Sequence, residues 1–248
     1  MPRDIEILIP TAPLGRLPTC PEGAMPRRRL LKMSLALGAV ALAVPMQRAF
    51  AQDAPVPAPP RRRPTPDQIL GPFYPVRKPV DGGADLAHLQ GRAGQAQGRI
   101  VYVMGRVLNL RGEPVPGARL EIWQANHFGR YTHPSDRNPA QLDPNFDGYG
   151  TVVSDDEGRY RVRTVKPGAY PVGGDWVRPP HVHFDVQGHI NRVVTQMYFS
   201  DEETLNGKDR LLQSSWAKES LIAQVVPPSA AEEPDARLAL WDIVLIQG

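Results

Sequence analysis

A single cysteine, Cys20, stands in a chain of 248 residues, so no disulfide can form within it. An apolar run long enough to cross a bilayer in comfort is missing too. The stretch Met33–Met46 covers only 14 residues. Also absent is an excess of basic charge where a folded domain would need it to grip nucleic acid. The formal charge is +3, but residues 1–51 hold seven of the 29 basic and three of the 26 acidic side chains. That leaves 22 basic and 23 acidic residues in 52–248. The basic balance belongs to the leader, and nucleic acid is excluded as an expected partner. Proline and glycine, in contrast, are plentiful at 28 and 22, which favours strands and turns over long helices. A hydrophobic share of 41% fits one domain with a sizeable core plus some non-domain sequence.

Met33–Met46 is preceded by Pro26-Arg27-Arg28-Arg29-Leu30-Leu31-Lys32 and followed by Ala49-Phe50-Ala51. Charge, short apolar run and small residues at the cleavage positions are the layout of a signal peptide, so residues 1–51 read as an export signal. The competing reading is an N-terminal anchor helix. The paired arginines resemble a twin-arginine signal, with Pro26 where Ser or Thr is usual, and the general secretory route stays open. Export to the periplasm or beyond is expected. Met25 begins a better-proportioned signal than Met1 and is the expected start, in which case Cys20 is never made. Residues 52–66 carry six prolines and three arginines and read as a solvated linker. The domain is expected over 67–248, beginning near Asp67 or Gly71.

From Arg99 onward the chain shows short apolar or alternating segments between turns. Strands are expected at Ile100–Val107, Ala118–Trp123, Thr151–Val153, Arg159–Val165, His181–Val186, Arg192–Phe199 and Leu240–Ile246. Arg111–Pro114 and Asp155–Gly158 read as turns, and residues 202–224 as a turn or short helix. Strands at this spacing predict an all-β fold, a β-sandwich.

Within one expected strand lies His181-Val182-His183. Residues i and i+2 share a strand face, so both imidazoles point the same way, which is half of a metal site. On spacing alone they are equally two histidines on a polar face. Tyr131 and Tyr170 stand at strand-to-loop transitions in polar, Gly-rich settings. A phenolate oxygen is a hard anionic donor, suited to Fe(III) rather than Zn(II) or Cu(I).

Longer motifs surround these residues: Glu121-Ile122-Trp123-Gln124-Ala125-Asn126 with Gly129-Arg130-Tyr131, Leu142-Asp143-Pro144-Asn145-Phe146, Lys166-Pro167-Gly168-Ala169-Tyr170-Pro171, Arg178-Pro179-Pro180-His181-Val182-His183-Phe184, and Thr195-Gln196-Met197-Tyr198-Phe199. Together with Trp241–Leu245 they resemble the intradiol ring-cleavage dioxygenases, in particular the protocatechuate dioxygenase branch, from about Gly71 to the C-terminus. The resemblance implies an Fe(III) held by Tyr131, Tyr170, His181 and His183 with a hydroxide. It implies a catecholic substrate and O2, and a cis,cis-muconate-type diacid product. Tyr170 would leave the metal to take a substrate proton. Arg178 would lie beside the reacting ring, Gln196 would stand behind the ligands, and Tyr74 would border the substrate mouth. With all four ligands in one chain a homo-oligomer could act alone, although the branch pairs two related chains.

The chain departs from that branch after Tyr170-Pro171, where Val172-Gly173 replaces Trp-Arg and the run to His181 is shorter. His127 and Phe128 replace small residues beside Tyr131. Neutral or substituted catechols are therefore expected as substrates, with no strong preference for protocatechuate. Residues 52–98 show no helical periodicity, against the catechol and hydroxyquinol branches with their N-terminal helices. Two other classes compete. The run from Gly105 to Ala118, with Asp156–Tyr160, also resembles transthyretin-like binding modules, and a zinc or copper enzyme could use His181 and His183 alone.

Overall fold

The computed structural model describes residues 61–78 and 83–248. The expected signal, the choice of start and the linker up to residue 60 lie outside the described residues. Strands dominate: β1 Ile100–Asn109, β2 Arg119–Trp123, β3 Tyr149–Val153, β4 Arg159–Val165, β5 Tyr170–Gly173, β6 Trp176–Arg178, β7 His181–Gln187, β8 Arg192–Phe199, β9 Ile222–Val226, β10 Arg237–Leu240 and β11 Ile243–Leu245. Helix is limited among the described residues to short turns, including α1 Glu203–Asn206 and α2 Arg210–Gln213.

One sheet runs in the order β11-β1-β10-β9-β8-β7-β2-β3, with β4 also paired to β1, and β5-β6 form a separate ribbon. Alternation does what the sequence pattern requires. Val182, Phe184 and Val186 of β7 lie in the main core with Leu120 and Ile122 of β2 and Tyr160 and Val162 of β4. Full burial of one such side chain contributes about 1.5–3 kcal/mol. The opposite face of β7 carries His181 and His183, also buried, beneath a second cluster of Trp123, Ala125, Tyr131, Tyr149 and Tyr170. A strand buried on both faces with histidines on one of them marks where this fold departs from a plain core.

Several boundaries differ from the sequence expectation. Leu240–Ile246 is not one strand, because Trp241 and Asp242 leave the ladder between β10 and β11. There the Trp241 carbonyl accepts the Tyr160 hydroxyl at 2.7 Å, and an Asp242 carboxylate oxygen accepts the Arg106 N–H at 3.0 Å. The span 202–224 holds the short helices α1 and α2, as expected, and runs into β9 at Ile222, while the β5-β6 ribbon was not foreseen. The expected linker is also shorter. Arg62 N–H donates to the Leu110 carbonyl at 2.8 Å, Thr65 N–H to the Val244 carbonyl at 2.9 Å, and Thr65 is buried. Residues 62–66 are therefore fastened to the domain that was expected to begin at 67.

Candidate active site

Strand pairing brings the candidate residues together. On β7, His183 is paired with Trp123 of β2 on one side and Gln196 of β8 on the other, while His181 is paired with Tyr198. Tyr170 opens β5 opposite Arg178 at the end of β6, so the ribbon delivers a phenol and a guanidinium side by side. Tyr131 lies in the loop between β2 and β3. That loop is wound around Asn126, whose side-chain oxygen accepts the N–H groups of Phe128 and Arg130 at 2.9 and 3.0 Å. Asp136 then accepts the Tyr131 N–H at 2.7 Å, which fixes the tyrosine backbone at both ends of the turn.

The four donor atoms converge. Tyr131 Oη and Tyr170 Oη each lie 3.4 Å from His181 Nε2, and Tyr131 Oη lies 3.1 Å from His183 Nε2. His181 Nδ1 stands 2.7 Å from the Pro179 carbonyl. A carbonyl can only accept, so Nδ1 carries the proton and Nε2 turns its lone pair toward the two phenols. His183 Nδ1 is buried with no partner among the described residues. Trp123 stacks on the His183 ring at 4.9 Å and 12°. Phe73 covers Tyr131 at 4.7 Å.

Burial sets the protonation of this group. It pushes both phenols up, with Tyr170 adding to the rise at Tyr131 and Arg178 opposing it at Tyr170. It also pushes both imidazoles down, His183 to about 3, reinforced by the nearby Arg178 charge. Two neutral imidazoles and two neutral phenols thus face one another with no carboxylate among them. Donors 3.1–3.4 Å apart have the spacing of neighbouring ligands on one first-row metal ion, whose bonds to nitrogen and oxygen run about 2.0–2.2 Å. The residues present fit a hard cation that can displace the phenol protons.

Arg178 and Gln196 lie behind this set. Arg178 Nη2 donates to Gln196 Oε1 at 2.6 Å and to Tyr198 Oη at 3.0 Å, and Gln196 Nε2 donates to the Ile69 carbonyl at 2.9 Å. The segment 71–74 packs against the cluster that holds Trp123, Tyr131 and Tyr170. The Tyr74 hydroxyl donates to Glu121 at 2.5 Å and its ring meets Trp123 edge-on, while its neighbour Phe73 takes the place over Tyr131. Tyr198 and Asp209 were missed. The period of two along β8 from Gln196 points to Tyr198. An Asp just before Arg210-Leu211-Leu212 carries an N-cap signal that points to Asp209.

The family model described as "Dioxygenase" matches residues 69–247. The chain is 41% identical over 181 residues to the protocatechuate 3,4-dioxygenase beta chain of Burkholderia cepacia, covering 67% of this chain and 76% of that protein. It is 33% identical to catechol 1,2-dioxygenase of Candida albicans over 54% of this chain and 46% of the relative. With hydroxyquinol 1,2-dioxygenase of a Rhizobium species the figures are 32%, 62% and 53%, so the chain spans about half the length of these two. Among solved structures, the dioxygenase domain of a carbohydrate-binding fusion from Streptomyces sp. SirexAA-E superposes with a TM-score of 0.57 at 26% identity, over 75% of this chain and all of that one. The 3-chlorocatechol 1,2-dioxygenase of Rhodococcus opacus 1CP gives 0.59 at 22%, over 74% and 73%, a likeness of fold alone. A family match over nearly the whole described domain, with 41% identity to one member across two thirds of the chain, means that this chain belongs to the intradiol ring-cleavage dioxygenases and is an oxidoreductase of that kind.

Proposed function

We propose that this chain cleaves a catechol-type ring between its two hydroxyl-bearing carbons, using Fe(III) and O2 and giving a cis,cis-muconate-type diacid. The observation that carries this reading is the convergence of Tyr131, Tyr170, His181 and His183 within 3.1–3.4 Å contacts in a buried setting. Those four side chains would hold the iron, and two phenolates would offset most of its charge. Bound there, Fe(III) supplies the Lewis acidity that acidifies the catechol hydroxyls and draws charge from the ring so that it reacts with O2. Tyr170, at the open end of the ribbon, accepts a substrate proton at its Oη. Arg178 offers a fixed positive charge to the anionic ring. Gln196 keeps that guanidinium in place. All four donors come from one chain, which supports a homo-oligomer able to work without a related partner.

The sheet is read as two facing layers. Phe184 of β7 lies 6.1 Å from Tyr160 of β4 and 5.1 Å from Trp241, although β4 and β7 are far apart in the sheet order. That contact supports the sandwich. A plain transthyretin-like binding module has no use for four converging metal donors. A two-histidine zinc or copper site would leave both buried phenols without a role.

Iron-loaded protein should show a visible tyrosinate-to-Fe(III) band, one iron per chain, and catechol-dependent O2 uptake. His181→Ala or His183→Ala should lose most of the iron, and Tyr131→Phe should weaken and shift the band. Full iron content and an unchanged spectrum in all three variants would remove the site.

A further inference from the structure

Arg178 is 4% exposed and is gripped on two of its three nitrogens. Besides the Nη2 contacts to Gln196 and Tyr198, its Nε donates to Asp209 Oδ2 at 2.8 Å. Nη1 has no hydrogen-bond partner among the described residues. Asp209 is itself fully buried, at 0% exposure. Its second oxygen, Oδ1, accepts the Leu212 N–H at 2.8 Å and so caps α2, and the Tyr198 hydroxyl stands 3.4 Å from the same oxygen. One carboxylate therefore ties the guanidinium to a helical turn that is remote in sequence from every proposed iron ligand.

We propose that Asp209 is a positioning residue for the ring-cleavage reaction. It holds the Nε edge of Arg178 so that Nη1 is left to meet the charge that develops on the ring. The proposal rests on the function proposed above. The physical case is that a free arginine has many rotamers, and a charge aids a reaction only when it is already in place. A carboxylate on one edge and two neutral oxygens on the other leave the guanidinium a single pose. The Asp209 charge also keeps Arg178 from standing unpaired in a dry site.

A purely structural Asp209 would do no more than cap α2. Asparagine separates these roles, because it caps a helix as well as aspartate does. In Asp209→Asn, an amide that kept its oxygen on the Leu212 N–H would turn its NH2 toward Arg178 Nε, donor against donor. The experiment uses iron-loaded full chain with catechol. Steady-state kcat is measured alongside catechol binding, the latter from the visible band titrated under nitrogen. Asp209→Asn is expected to lower kcat about ten- to a hundredfold. Iron content should be retained and the catechol Kd should stay within about threefold. Asp209→Glu, which restores the charge, should recover part of the loss. In an Arg178→Gln background, Asp209→Asn should cost nothing more, because its effect runs through Arg178. That double variant contains no unpaired buried charge, whereas Arg178→Gln alone leaves Asp209 unpaired, so the two are compared on protein whose iron content and visible band show the site intact.

A kcat for Asp209→Asn within about threefold of wild type would overturn the proposal. So would a double variant more than about tenfold below Arg178→Gln alone. Wild-type protein with no visible band and no ring cleavage would instead overturn the underlying function, so the two failures read differently.

Discussion

The Cα of Gly71 lies against His183. A Cβ built there would stand 3.1 Å from His183 Cε1, and the backbone is left-handed at φ +79°, so glycine serves twice at this position. Gly71→Ala should cost about 1 kcal/mol in backbone strain and should press the imidazole away from the other donors. Outer contacts of a metal-binding histidine are worth roughly ten- to a hundredfold in metal affinity, and the low end is expected here. Gly91 makes the control, since it has φ +78° but nothing within 4 Å of its Cβ. Competition with a chelator should show weaker iron binding in Gly71→Ala than in Gly91→Ala at similar loss of Tm. Equal iron affinity in the two variants would mean that the Gly71 contact does not matter. The His181 and His183 pair was legible because strand period forces i and i+2 to one face, and Tyr131 and Tyr170 were legible through their motifs. Gly71 was legible only as part of a motif, because what a missing Cβ makes room for depends on a neighbour 112 residues away.

At the scale of elements, Glu121 of β2 shows why sequence pattern falls short. Alternation along β2 puts Glu121 on the face opposite Leu120 and Ile122, where a charged side chain would be expected in water, yet it is only 5% exposed. Lys78, Tyr74 and Arg119 gather on it and join the segment carrying Gly71 and Phe73 to the sheet. Burial alone would raise the Glu121 carboxyl. Hydrogen bonds from Lys78, Tyr74 and Arg119 outweigh burial and hold it at about 2. A carboxyl depressed in the folded state contributes stability above its unfolded value of about 4.3 and loses that contribution as pH falls toward 2. Glu121→Gln should therefore destabilise by about 1–3 kcal/mol at pH 7. The gap in urea midpoints should close between pH 4.5 and 2, and a gap independent of pH would refute the latch. The β5-β6 ribbon escaped the sequence because Pro171, Gly173 and Gly174 read as loop. It bears on substrate choice. A Cβ at Gly173 would meet nothing within 4 Å, and the free edge of Arg178 is taken up by the reacting ring in the function proposed above, so among the described residues no second arginine next to Tyr170 awaits a substrate carboxylate. Catechol, a methylcatechol, hydroxyquinol and protocatechuate should then differ modestly in kcat/KM, since one charge-assisted contact is worth about 1.5–3 kcal/mol. A preference for protocatechuate above about a hundredfold would contradict this. Such a preference would point to Arg210, which lies 5.3 Å from the Trp176 ring opposite Gly173, and Arg210→Gln would then abolish it.

At the scale of the whole chain, the two ends of the sequence pose different physical problems. Residues 62–66 and the closing strand β11 are bonded to each other, with Val244 N–H donating to Thr65 Oγ1 at 2.8 Å and Thr65 N–H to the Val244 carbonyl at 2.9 Å. Two hydrogen bonds thus tie the first described segment of the domain to its last strand. Composition alone did not show this, because Pro64 and Pro66 read as linker and their neighbours' pairing is non-local. Ahead of this seam, residues 1–51 carry a net positive charge and the short apolar run Met33–Met46, which supports export as the role of that segment. The twin-arginine route carries folded proteins, and it suits a site whose four donors come from one loop and two strands and meet only in the folded chain. Mature protein recovered from the periplasm or medium should begin at Gln52 on N-terminal sequencing. Changing Arg27, Arg28 and Arg29 together to lysine should leave uncleaved chain in the cytoplasm, with its iron and colour intact. Normal export of that variant would assign the general secretory route, where the chain crosses unfolded and must collect iron afterwards. Uncleaved wild-type protein found only in the cytoplasm would overturn export itself.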